Sequence, residues 1–165
     1  MTATFELSET NGATVVTDGI TNLNYGSTDA ADLSVAAYPV SAGNNSYEKY
    51  IRCHFTGTFN QIDNIQIWKS SGDYVTGEGI DTNLKTSSYV QSSFAAPVAT
   101  ESIVATTEMP TSDPGASNLG ISGSLSGSLT SEGYSDYWVS QAQSTASTPA
   151  GDGNRKTFTI QYDEQ

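Results

Sequence analysis

Short stretches in which apolar and polar residues alternate run through most of the chain, separated by glycine, asparagine and aspartate. A period of two belongs to strands with one covered face, so the pattern predicts an all-β protein. Thr2 to Ser8 sets Ala3, Phe5 and Leu7 on one face. Asn11-Gly12 reads as a turn, and Ala13 to Thr17 as a second strand closed by Asp18-Gly19. Leu33 to Val40 is a third candidate, with Pro39 marking its end or an edge position.

The strongest strand signal spans Tyr47 to Phe59. Tyr47, Ile51, Cys53 and Phe55 share one face, and Glu48, Tyr50, Arg52, His54 and Thr56 share the other. Gly57 allows a bulge or bend before Phe59. In the next strand Ile65, Ile67 and Lys69 alternate with Gln66 and Trp68, up to the turn at Ser70-Ser71-Gly72-Asp73, and a short Tyr74–Thr76 segment follows.

Beyond it, Thr82 to Phe94 holds a strand around Ser88–Gln91, and Ser102 to Thr107 reads as another. Met109 to Gly115 carries two prolines and a Pro-Gly turn, which makes a rigid connector. Ile121, Leu125 and Leu129 recur every four residues with Gly123 and Gly127 between them. That spacing predicts a small-residue strand lying close to another backbone, although the same Gly/Ser composition also suits a flexible linker. Asp136–Ser144 and Lys156–Tyr162 complete the set, joined by the loop Ala146–Arg155.

About nine short strands with no amphipathic helix predict an antiparallel β-sandwich or jelly roll. At 165 residues the chain is expected to be a single domain, 1–165, with a core large enough to stand without disulfide or metal. Its N-terminal segment is expected to serve as an arm that contacts a partner.

Charge narrows the partners. Eighteen acidic residues against six basic ones give a formal net charge of −12. Nucleic-acid binding draws on basic residues that displace counterions from phosphates, so no nucleic-acid partner is expected. Anionic membrane surfaces are disfavoured for the same reason, and no stretch approaches the roughly 18 apolar residues of a membrane span. The first residues, Met1 to Ser8, lack the basic and apolar regions of a secretory signal. The expectation is synthesis in a cytoplasm and release by a route such as lysis.

The reactive inventory is short. Cys53 and His54 are the only cysteine and the only histidine, and as strand neighbours they point to opposite faces. One cysteine closes no intramolecular disulfide, and the two residues do not make a structural zinc site. No catalytic residue, metal or cofactor is expected. Glu78, Asp81 and Glu101 could line a groove, but some pair among 18 carboxylates always has a suitable separation. Asp113 and Asp152-Gly153-Asn154 offer oxygen ligands for calcium on tight turns, where the same residues also serve ordinary backbone geometry. Tyr50, His54, Trp68 and Trp138 are candidates for sugar stacking, protein contact or a second core face.

The run Glu108 to Gly115, the Gly/Ser/Leu stretch to Leu129, Ser135-Asp-Tyr-Trp-Val139 and the closing Thr157 to Glu164 resemble small virion structural proteins of tailed bacteriophages. The strands Lys49–Phe59 and Ile65–Trp68 share that look. The resemblance implies a capsid decoration (cement) or related accessory protein, β-rich and often trimeric, on the outer surface of the head. Its partner would be the major capsid protein. For such a role Phe5, Leu7 and Trp138 are the expected partner contacts. The rival is a carbohydrate-binding or adhesin module on a virion or cell surface, and a polysaccharide-degrading enzyme is a third reading.

Overall fold

Strand β1 (Ala3–Asn11) turns back into β2 (Val15–Asp18), with Asn11 opposite Val15 and Gly12 in the left-handed region at φ 56°. The computed structural model describes residues 2–12, 15–84, 104–151 and 154–165, and these contain strands and turns but no helix. On its other side β1 pairs antiparallel with β3 (Lys49–Gly57), from Ala3 opposite Gly57 to Thr10 opposite Tyr50. The N-terminal segment is therefore an interior strand of a sheet and not a projecting arm.

Nine strands form among the described residues. Those not yet placed are β4 (Ile62–Ser71), β5 (Gly79–Thr82), β6 (Thr107–Glu108), β7 (Gly133–Tyr134), β8 (Trp138–Gln143) and β9 (Thr157–Glu164). Seven build one antiparallel sheet in the order β2-β1-β3-β8-β5-β6, with β7 beside β3 ahead of β8. β4 and β9 pair with each other as a second sheet. The all-β, antiparallel expectation holds, in two layers of unequal width.

The two layers meet through their apolar faces. Ile51, Cys53 and Phe55 of β3, Ile80 of β5 and Trp138 of β8 pack with Ile62, Ile65 and Ile67 of β4, and Phe158, Ile160 and Tyr162 of β9 close over them. Trp138 meets Phe158 edge to face with ring centroids 5.4 Å apart, and Tyr162 packs against Phe55 at 4.8 Å. Aromatic rings thus supply core volume that a leucine-poor chain would otherwise lack.

Elsewhere the chain departs from the expected strands. Leu33–Val40 forms turns: Ser34 O accepts from Ala37 N and Tyr38 N, and Leu33 is buried while Val35 and Tyr38 face solvent. Tyr74–Thr76 is irregular, and the strand in this region is β5, which starts at Gly79. Ile121–Leu129 is a run of tight turns, in which Ile121 and Ser124 exchange backbone hydrogen bonds. Ile121 is buried and Leu125 exposed, so the two do not share a face. The expected close backbone approach is nonetheless present, because a Cβ on Gly127 would lie 2.1 Å from Ile121 O. The strand expected around Ser88–Gln91 lies outside the described residues, as do Ser102 and Ile103; Val104 to Thr106 form no strand, and Thr107 opens β6.

The connector Met109–Gly115 and the residues after it cover the free edge of β4. Lys69 N donates to Pro110 O, and Ile65 O accepts from the backbone N–H of Asn118 and Leu119. The side-chain amide of Asn118 completes the seam: Oδ1 accepts from Ile67 N and Nδ2 donates to Ile67 O, both at 2.8 Å. Unpaired strand edges invite association with other chains, and this one is closed by a side chain acting as backbone.

Candidate functional site: a histidine between two carboxylates

Alternation along β3 divides its chemistry as expected. Cys53 faces the core, where burial pushes its thiol up to about 12 and leaves it inert. His54 points to the opposite face of the large sheet, and its side chain is 9% exposed.

Cross-strand register decides what meets that imidazole. Glu6 lies directly opposite His54 in the β1–β3 pair, and Asp18 lies opposite Ser8 in the β1–β2 pair. Ser8 is two residues along β1 from Glu6, so Asp18 sits diagonally across the same face. His54 Nδ1 is 2.7 Å from Glu6 Oε1 and 3.8 Å from Asp18 Oδ1. In the bond to Glu6 Oε1 the carboxylate oxygen accepts and Nδ1 is the donor. Gly19 leaves room for this arrangement, since its Cβ position lies 3.3 Å from Glu6 Oε2.

Tyr134 fixes the group from the other edge of β3, opposite His54 in register. Its ring stacks on the imidazole at 4.1 Å and 9°, and its hydroxyl donates to Asp18 Oδ2 at 3.1 Å. Burial first, then the bond to Asp18 and that carboxylate's charge, push the Tyr134 phenol above its usual value, so it remains a donor. The Arg52 guanidinium lies 4.0 Å from the Tyr134 ring centre and 4.8 Å from that of Tyr137. The break between β7 and β8 places these rings: Ser135 Oγ accepts from Cys53 N, while Ser135 N donates to Cys53 O.

Other candidates are occupied elsewhere. Trp138 is 0% exposed in the main core, opposite Ile51, and has no surface to offer a partner. Phe5 and Leu7 are half-buried and pack against the same core, Phe5 stacking on Tyr162 with ring centres 5.9 Å apart. These three residues act inside the fold. Tyr50 is buried in a small second cluster with Val139 and Ala105, and Trp68 is half-buried on β4 opposite Thr159. Of the expected groove, Glu78 pairs with Lys156 and accepts from Val75 N, and Glu101 lies outside the described residues. Asp81 stands opposite Glu108; burial, then the neighbouring charge, raises its carboxyl above the usual range. Asp113 Oδ1 accepts from Gly115 N as part of a turn, and Asp152-Gly153 lies outside the described residues.

Sequence reasoning put Glu6 and His54 on polar strand faces but did not join them. The missing information was the pairing of β1 with β3, which brings together Glu6 and His54, 48 positions apart in the chain. Comparison with family models, curated proteins and solved structures finds no match to this chain. Its chemistry is therefore taken from its own geometry.

Proposed function

We propose that the chain is a non-enzymatic structural protein of a bacteriophage virion, a decoration protein that binds the outer surface of the head and stabilises the shell. The observation that carries the proposal is the edge strand β2, whose Val15 and Val16 are 64% and 44% exposed. Apolar side chains on a strand that, among the described residues, pairs on one side only suit attachment to a protein surface. They also replace Phe5, Leu7 and Trp138 as the residues that would meet the major capsid protein. The resemblance of the C-terminal half to virion structural proteins supports the reading, and the net charge of −12 suits an outward-facing coat.

In this role each copy bridges neighbouring capsid subunits, with three copies to a local axis as the arrangement the resemblance favours. Binding only to the assembled lattice stabilises it by mass action, and linked copies add avidity. Purified protein added to shells that lack it should bind saturably and raise the temperature at which they rupture. Absence of binding, or unchanged rupture, would exclude the role.

A further inference from the structure

The geometry points to a binding site for a divalent first-row transition cation, zinc or cobalt in class, formed by His54 Nδ1, Glu6 and Asp18. The three donors come from three neighbouring strands, and their ligand atoms all lie within 4.8 Å of one another. Such a cation binds imidazole nitrogen and carboxylate oxygen at about 2.0–2.2 Å, which sets neighbouring donors roughly 3 to 3.6 Å apart. The two spacings to Nδ1, 2.7 and 3.8 Å, bracket that range, so small side-chain rotations suffice.

The donor set selects the class of ion. One nitrogen with two carboxylates is a borderline set that favours zinc or cobalt, whereas calcium takes six to eight oxygens. Three protein ligands leave coordination positions for water, and the two carboxylates are 36% and 40% exposed, which gives the ion a path in. Binding displaces the proton from Nδ1: a neutral imidazole gives that proton up and takes one from solvent at Nε2, an imidazolium simply releases it, and either way the bound ring is the Nε2–H form.

Tyr134 supplies the supporting shell. It holds the imidazole plane by stacking and orients Asp18 through its hydroxyl. The Arg52 guanidinium, 4.0 Å from the Tyr134 ring centre, is a like charge near the cation and offsets part of its attraction. A bound cation would tie β2, β1 and β3 together across the outer face of the sheet. The site stands whether or not the chain coats a shell.

The test is titration of the chelator-treated full chain with zinc chloride by calorimetry and with cobalt chloride by visible absorption, with calcium chloride for comparison. The expected result is one zinc or cobalt ion per chain, cobalt d–d bands, a raised unfolding temperature and at least tenfold weaker calcium binding. Asp18→Asn and His54→Ala should each weaken zinc binding at least tenfold. Tyr134→Phe, which keeps the ring and loses the bond to Asp18, should weaken it by about 10-fold. Because His54→Ala removes a buried side chain, Asp18→Asn decides if that variant does not fold. No stoichiometric binding by the wild-type chain, or unchanged affinity in Asp18→Asn, would overturn the site.

Discussion

Lys49 Nζ reaches both carboxylate oxygens of Glu9, at 2.8 and 2.9 Å, with both side chains enclosed at the end of the β1–β3 pair. Ala30 O takes a third bond from the ammonium, tying the long connection between β2 and β3 to the sheet. Removing one partner of such a pair leaves an uncompensated buried charge, which costs about 3–5 kcal/mol. Lys49→Met should lower stability by that amount in urea unfolding, and Glu9→Leu in the same chain should recover much of it. A Lys49→Met loss below about 1 kcal/mol would show the pair to be weakly coupled to the fold.

The same carboxylate gives a pH signature. Burial raises Glu9 above its ordinary value, with Lys49 offsetting part of the rise. A raised folded value means that the contribution favouring the fold is complete below about pH 4.5 and is lost as pH rises through the folded value. The stability of the wild type relative to Glu9→Gln should therefore fall with rising pH across that interval and then level off. Urea unfolding at a series of pH values measures the difference; a gap that widens with pH would contradict the assignment.

Asn118 stands in for a strand residue on the open edge of β4. Asn118→Ala would strand the N–H and C=O of Ile67, each at about 1–3 kcal/mol when buried. A loss of roughly 2–4 kcal/mol is expected from chemical unfolding. Asn118→Asp still accepts from Ile67 N but sets a carboxylate against Ile67 O, so it should not rescue the fold. Wild-type stability in either variant would show that the seam contributes little.

Gly127 and Gly79 test the turn-rich segment against an open site. A Cβ on Gly127 falls 2.1 Å from Ile121 O, whereas one on Gly79 meets only Gln143 Cβ at 4.0 Å. Gly127→Ala should lower the unfolding midpoint clearly, and Gly79→Ala should leave it within about 0.5 kcal/mol of wild type or better. Equal effects would contradict the packing of Ile121–Leu129.

Trp138 and the β2 valines separate folding from attachment. Trp138→Ala should cost about 3–5 kcal/mol, as expected for an enclosed aromatic. Val15→Ser with Val16→Ser should change stability by no more than about 1 kcal/mol, since both residues are exposed. If shells bind through this edge, the valine variant loses attachment while remaining folded. Retained attachment would move the contact elsewhere.

Local chemistry was readable where period and face were enough. The phase of Tyr47–Phe59 separated Cys53 from His54, and the alternation in Lys156–Tyr162 placed β9 within a residue or two at each end. Long-range pairing was not readable, because register depends on which distant strand arrives alongside. Glu6 and Asp18 became neighbours of His54 only through it. Trp138, an expected partner contact, lies instead in the core opposite Ile51, because nothing local fixes which face of β8 turns inward. The connection 19–48 misled for a different reason: Leu33–Val40 alternates in composition, while the Ser34 turn and Pro39 deny it a ladder.

Attachment to the outer head surface is open to direct labelling. Under the proposed role, phage particles purified from a lysate that contains the chain, decorated with a specific antibody and imaged by electron microscopy, should carry label over the whole head shell. Label confined to the tail, or none on intact virions, would contradict the account.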